Sequence, residues 1–462
     1  MFGVGTEFFN CEFGDSRLTR RVMAVSESLS KNPELSINAS CGSFTESKAA
    51  YRLFQNPKIC QENLISGHIS KTLERINQQK SMVLVIQDTT DLIYTQFPSI
   101  KGLGHRSQCE GYASAVKGIM LHTSLAVTAD GLPLGILKQT YFTYDDARKN
   151  RGQEDTNRKG VNRLFPIEKK SSFRWIQHFE EIEKEIGDQK VVHVADRESD
   201  IYEFLHAATV ANSNYVIRSS INRKTHESQR YRDTSTINEK LKLAPSLGSI
   251  EITMQKEKIV CSVKQVETIL RPPNRSLKSR SETLLPIRVY VVEISQLGET
   301  NHPIHWRLLT NMPCGSLDSA VNIAAIYKTR WSIECFHRIL KSGFGVEKSR
   351  LNSRDRLENL ATILSIISWH LFWIYNLARK NPEHFAESEF DSISIKVLAL
   401  SGKALKVPIP SKMTLQQAIL VIARLGGFLG RKSDGPPGMI NIWRGWGKLH
   451  ERIELLEQLN CG

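Results

Sequence analysis

Three acidic residues, Asp88, Asp196 and Glu334, could carry chemistry in this 462-residue chain. Asp88 closes the apolar run MVLVIQD and Asp196 closes VVHVAD. Continuous apolar runs of that length read as buried strands, with each aspartate at a C-terminal tip, where open α/β sheets place their sites. Glu334 lies in IYKTRWSIECFHRILKSG, from Ile326 to Gly343. No Gly or Pro interrupts that stretch before its last residue, so it reads as one helix. At about 100° per residue, Tyr327, Arg330, Glu334 and Lys341 share an arc of about 60°. Ile333, Phe336 and Leu340 form a neighbouring apolar stripe. One side of the helix would pack on a core while its edge aligns an acid between two cations and a phenol. Two strand-end aspartates and a helical glutamate can hold two Mg²⁺ ions, which keep water and substrate phosphate as further ligands. Such a pair serves in-line phosphoryl displacement, steadying the attacking and the leaving oxygen. Plainer readings exist for each part. Charges at helical spacing also make a solvated salt-bridge face, and an Asp after a strand is often a turn or helix cap.

Composition narrows the partner. With 62 Lys and Arg against 48 Asp and Glu, the formal charge is +14. A chain this basic calls for a polyanion, nucleic acid or an anionic membrane surface. The basic residues recur along the whole chain instead of forming one lipid-seeking tail, which favours nucleic acid. Cys11, Cys41, Cys60, Cys109, Cys261, Cys314, Cys335 and Cys461 form no C-x-x-C pair and no zinc-finger spacing with His. They read as free thiols in a reducing cytoplasm. The opening MFGVGTEFFN lacks the basic and apolar segments of a signal peptide. Leu360 to Leu377, LATILSIISWHLFWIYNL, is long enough to span a bilayer. It contains Ser365, Ser368, His370 and Asn376 and has no second span to partner it, so it reads as a buried core helix.

The elements that must position the acids follow in order. Residues 1–70 read as helical. Asp15 caps RLTRRVMAVSESLSK, and Ser43 with Glu46 makes a capping box for a helix ending at Asn56-Pro57. Short basic helices of this kind suit DNA docking, with Arg17, Arg20 and Arg21 on the first and Lys48 and Arg52 on the second. After the Asp88 strand come strands near Ile119–Thr128 and Leu134–Thr140, joined by an Asp130-Gly131 turn. The charged stretch 145–170 reads as a surface loop. A helix over Ser172–Ile186 leads to the Asp196 strand, RESDIYEFLHAA opens a helix, and a strand lies near Tyr215–Arg218. Residues 221–312 alternate short strands with polar turns, including the basic loop RPPNRSLKSR, and read as an inserted β subdomain. The tail carries TLQQAILVIARLGGFLG and WRGWGKLHERIELLEQL as helices. Trp306 and Trp331 could stack a base or fill a core.

Taken together, the motifs resemble bacterial DDE transposases of the Tn-five type, in the IS-four group. The likeness rests on DTT at Asp88–Thr90, ADRESDIY at Ala195–Tyr202, and Tyr-x2-Arg-x3-Glu-x6-Lys from Tyr327 to Lys341. GDSRLTRR, KNPELSI and SCGSFTESKAAYRLFQNP resemble that family's end-binding domain, and LGGFLGRKSDG and WRGWGKL its dimerising tail. The family's DREAD-like motif reads DRESD here, with Ser199. The resemblance implies an α/β fold: a ribonuclease H-like core (71–380) with a β insertion (about 221–312), an N-terminal helical DNA-binding domain (1–70) and a C-terminal helical dimerisation domain (381–462). It implies that Asp88, Asp196 and Glu334 ligate two Mg²⁺ ions, with Mn²⁺ able to substitute. Tyr327, Arg330 and Lys341 would hold the transposon-end backbone, and Trp306 would stack on a flipped base. Arg338 on the same helix joins Arg20, Lys48 and Arg52 as further DNA contacts. The implied reaction is cut-and-paste transposition through a DNA hairpin, ending in joining of 3′-ends to target DNA. It would run in a synaptic homodimer of a cytoplasmic, nucleoid-associated bacterial protein without a membrane span. The other class of reading is a catalytically silent DNA-binding regulator.

Overall fold

The computed structural model describes residues 3–32, 34–105, 116–144, 146, 165–226, 235–254, 257–273, 284–298, 304–410 and 412–460. A 3₁₀ turn, Val4–Phe8, precedes four helices: α1 (Ser16–Lys31), α2 (Ile37–Ser40), α3 (Phe44–Phe54) and α4 (Gln61–Asn77). Asp15 and Ser43 cap the two predicted starts, Ser43 through its own half of the expected capping box. The Asp15 carboxylate accepts the Arg17 N–H at 2.9 Å and Ser43 Oγ accepts the Glu46 N–H at 3.2 Å, each satisfying an orphan donor of a helix start. On α1, Val22, Val25 and Leu29 are buried at helical spacing, while Arg17, Arg20 and Arg21 are exposed.

One mixed sheet forms the centre. Its strands are β1 (Val83–Ile93), β2 (Gly104–His105), β3 (Lys117–Thr128), β4 (Pro133–Phe142), β5 (Val191–Ala195), β6 (Asn214–Arg218), β7 (Thr225–His226), β8 (Ser246–Met254), β9 (Glu257–Leu270), β10 (Ile287–Gln296) and β11 (His305–Thr310). Strand β1 pairs antiparallel with β3 and parallel with β5; β5 pairs parallel with β6, and β4 flanks β3 antiparallel. The spatial order β4-β3-β1-β5-β6 is the ribonuclease H-like core. Helices α5 (Phe173–Ile186) and α6 (Tyr202–Val210) flank it, and α7 (Ile237–Leu243) belongs to the insertion.

The β-rich insertion of residues 221–312 is built as an extension of the central sheet. Strand β11 pairs antiparallel with β6 through Leu308↔Arg218, Leu309↔Ile217 and Thr310↔Val216, and β10, β9 and β7 continue outward in one sheet. The alternating strands showed pairing but not its partner, because the free edge of β6 lies far away in sequence. One expectation needs correction: Asp88 does not end its strand. Strand β1 runs five residues past it because Asp88–Ile93 keep pairing with β3, opposite Thr123–Gly118. The polar letters DTTD mark a half-buried strand end, not a turn. Much of the expected 145–170 loop and of RPPNRSLKSR lies outside the described residues.

Helices close the fold: α8 (Leu317–Thr329), α9 (Trp331–Arg338), α10 (Arg354–Lys380), α11 (Ser392–Ala404), α12 (Leu415–Leu425) and α13 (Met439–Asn460). Among the described residues, α10 alone is long and apolar enough to cross a membrane, yet 83% of its apolar window is buried inside the protein. It is the expected core helix. Glycines in LGGFLG and WRGWG have a packing reason: a Cβ on Gly445 would stand 1.7 Å from the Ile422 carbonyl oxygen, and one on Gly426 1.9 Å from that of Asn441. Helices α12 and α13 meet backbone to backbone there. Trp446 Nε1 donates to the Ser30 carbonyl at 2.9 Å, tying α13 to α1.

Candidate active site

Strand parity decides which face the acids occupy. Leu84 and Ile86 of β1 pack in one core with Ile333 and Phe336 of α9, whereas Val83 and Val85 pack with Ile182 and Ile186 of α5. Side chains alternate along a strand, so Asp88 faces α9 and Thr89 faces α5. Strand β5 repeats the pattern, with Val192 and Val194 in the α9-side core. That puts Asp196 on the same face. The last parallel pair is Ile86↔Val194, and two further residues along each chain reach Asp88 and Asp196. The two carboxylates therefore stand level on neighbouring strands.

Glu334 comes from the facing helix, held by Arg330. The Arg330 guanidinium bonds the Glu334 carboxylate and lies 3.9 Å from the Asp88 carboxylate. Burial, then Asp196 and more weakly Glu334, push the Asp88 carboxyl up to about 7, although Arg330 and the Thr89 N–H pull it down. This is the pattern of like charges crowded in a partly dry place. Among the described residues, no group of three His, Cys, Asp or Glu side chains is gathered closely enough to hold a metal ion.

The stretch from Ile326 to Gly343 is not the single helix expected. It breaks at Arg330, where the Arg330 N–H donates to the Tyr327 carbonyl and the Ile333 N–H to the Arg330 carbonyl in i→i+3 fashion. Thr329 contributes: its hydroxyl bonds back to the Ala325 carbonyl at 3.1 Å, a habit that bends helices. A π turn, Ile339–Gly343, follows α9. The apolar stripe holds, with Ile333, Phe336 and Leu340 fully buried. The polar arc is redistributed. Tyr327 is only 4% exposed, its ring edge-on to Trp306 with centroids 5.3 Å apart and its face 5.8 Å from the Arg330 guanidinium. Lys341, within the π turn, donates to the Asp91 carbonyl at 2.7 Å and approaches Glu347 at 3.4 Å. Trp306 is half-buried on β11, while Arg338 and Trp331 are exposed.

The other basic candidates, Arg20 on α1 and Lys48 and Arg52 on α3, are exposed in the N-terminal helices. Arg17, Arg20 and Arg21 line an open cleft of about 480 Å³ between α1 and the Cys41–Ala49 segment. Sequence reading missed the residues that brace the acids. Asp200, the last letter of DRESD, is buried and takes the Ser220 and Ile221 N–H groups at 2.7 and 2.9 Å together with the Arg223 guanidinium at 2.6 Å. It ties the turn after Asp196 to the exit of β6. The repeated acid in DRESD was the available signal. Arg174, Thr89 and Glu347 gave none, since each finds its partner across the fold.

Residues 4–59 match the family model described as transposase DNA-binding, 175–369 that of the transposase DDE domain, and 366–456 that of the transposase Tn5 dimerisation domain. A piggyBac transposase, solved by cryo-EM as a synaptic complex with hairpin DNA, is similar at a TM-score of 0.36 and 10% identity. The match covers 82% of this chain and 67% of that one.

Proposed function

Because this chain belongs to the DDE transposases of the Tn5 type, we propose that Asp88, Asp196 and Glu334 are its catalytic acids. They serve cut-and-paste transposition of the element whose terminal inverted repeats it binds. The observation that carries this reading is the level pair of aspartates on adjacent strands, facing the helix that supplies Glu334. The three donors are hard carboxylate oxygens, the set that suits Mg²⁺ or Mn²⁺. The raised Asp88 carboxyl fits a place where positive charge is wanted. Glu334 must exchange Arg330 for an ion. When bound, two such ions would steady the attacking and leaving oxygens of in-line displacement at phosphorus.

The chain's own groups do the rest. Arg330, released from Glu334, can take a scissile-strand phosphate through its two-pronged donor face. Lys341 adds charge beside the exit of β1. Trp306, seated edge-on to buried Tyr327, offers a half-exposed face for a flipped base; Tyr327 backs that tryptophan and shapes the backbone grip. Arg338 extends the basic face of α9, and Arg20, Lys48 and Arg52 dock the transposon end. Water nicks one strand, the freed 3′-hydroxyl closes a hairpin, and the reopened 3′-end joins target DNA. The work divides among an end-binding domain (1–70), a catalytic domain (71–380, with the insertion at about 221–312) and a dimerising tail (381–462). Two copies form the synaptic complex, in the bacterial cytoplasm at the nucleoid.

The test incubates short duplexes carrying the element's ends with the wild type and with Glu334→Ala, with and without Mg²⁺. Mg²⁺-dependent nicks and hairpins are expected from the wild type alone, while both proteins bind. Binding by the wild type without any cleavage would leave a DNA-binding regulator instead.

A further inference from the structure

Behind the acids, on the opposite face of the sheet, the Arg174 side chain spans three elements. Its Nε donates to Thr89 Oγ1 of β1 at 3.2 Å, one terminal nitrogen to Glu198 Oε2 in the turn after Asp196 at 2.7 Å, and the other to the Ser171 carbonyl before α5 at 2.7 Å. The side chain is only 14% exposed and its guanidinium lies 5.1 Å from the Phe142 ring and 5.6 Å from the Trp175 ring. All three donor directions of the planar fork are used. Thr89 and Glu198 follow Asp88 and Asp196 by one and two residues.

The network continues inward: Thr89 Oγ1 also lies 2.9 Å from His122 Nδ1, and His122 Nε2 lies 3.2 Å from Gln87 Oε1. His122 is fully buried against Trp175, with ring centroids 4.5 Å apart. Turning Thr89 would break these contacts, and Asp88 is its immediate neighbour on the strand.

We propose that Arg174 is the positioning residue of the active site, cross-linking the strand that carries Asp88 to the turn that carries Asp196 and so setting the separation of the two carboxylates. This inference rests on the three-acid reading above. Outer partners that orient metal ligands typically govern affinity by about 10- to 100-fold. A lysine offers one point of charge and cannot bridge Thr89 and Glu198 together.

The experiment titrates Mn²⁺ into the full-length, DNA-free protein by calorimetry, comparing wild type with Arg174→Gln, Arg174→Lys and Glu198→Gln. Thermal melts and metal-free binding to end duplexes check that each variant is folded. All three variants should bind Mn²⁺ about 10- to 100-fold more weakly, with end binding unchanged. Glu198→Gln keeps Arg174 and its packing, and decides the matter if the Arg174 variants fail to fold. Mn²⁺ affinities within about twofold of wild type, or full restoration by Arg174→Lys, overturn the positioning role. Wild-type Mn²⁺ binding that is indifferent to Asp88→Ala overturns the three-acid reading itself.

Discussion

Asp88 shows at the scale of a residue what the site costs the fold. Its carboxyl titrates near 7 in the folded chain against an ordinary 3.8. Below about pH 4 the carboxyl is protonated in folded and unfolded chains alike, and no penalty exists. As pH rises toward 7 the unfolded chain ionises first, and stability falls; above 7 the loss is complete. Asp88→Asn should therefore stabilise the metal-free protein by roughly 1–3 kcal/mol at pH 8 and by nothing near pH 4. Urea unfolding at the two pH values measures this, and equal stability of the two proteins at pH 8 contradicts it. The convergence of Asp88, Asp196 and Glu334 on one face was partly legible in the sequence, because two apolar runs lead to the aspartates and a helix carries the glutamate. The braces were not. Arg174 meets Thr89 across 85 residues and Lys341 meets Asp91 across 250, and no local spacing encodes such pairs.

Elements were legible where their signals are local. Helix caps at Asp15 and Ser43, the apolar stripe of α9 and the burial of α10 all follow from short-range pattern. The break at Arg330 was not legible. The Thr329 hydroxyl bonds back along the chain at the break, with no Gly or Pro to announce it, and Gly343 marked a helix end but not the π turn that holds Lys341. Extension of β1 past Asp88 depends on β3, and continuation of the sheet through β11 depends on β6. Both are tertiary facts. The α12–α13 contact yields a prediction at this scale. Gly445→Ala places a methyl against the Ile422 carbonyl and should cost about 1–3 kcal/mol despite the better helix propensity of Ala. Thermal unfolding measures the loss, and light scattering follows the dimer. A melt unchanged from wild type contradicts the close approach.

Across the whole molecule, a buried polar network fastens the N-terminal segment to the core. Glu7 meets His68 Nδ1 at 2.5 Å and also bonds Arg75, whose guanidinium lies 4.2 Å from the Trp369 ring. The Ile136 N–H donates to His68 Nε2 at 2.9 Å, so the imidazole proton is on Nδ1 and points to Glu7. Burial opposes ionisation of Glu7, but His68 and Arg75 outweigh it and hold its carboxyl down to about 2, against an ordinary 4.5. Its contribution is whole above about pH 4.5 and is lost as pH falls toward 2. Glu7→Ala leaves the His68 Nδ1–H buried without its acceptor and removes one partner of Arg75, and should cost about 1–3 kcal/mol, with earlier proteolysis of the N-terminal helices. A variant as resistant as wild type contradicts that role. The same segment matches the transposase DNA-binding family model, so this network fastens that segment to the sheet that carries Asp88 and Asp196.

The central claim is that Asp88, Asp196 and Glu334 act together on one divalent-ion-dependent reaction. Exchanging an oxygen ligand for sulfur tests it most directly, because thiolate disfavours Mg²⁺ and tolerates softer Mn²⁺. The measurement is nicking of a labelled transposon-end duplex by Asp196→Cys in Mg²⁺ and in Mn²⁺, beside the wild type. The account predicts that the variant binds the duplex, fails to nick it in Mg²⁺ and recovers nicking in Mn²⁺. Undiminished nicking by Asp196→Cys in Mg²⁺ would contradict it.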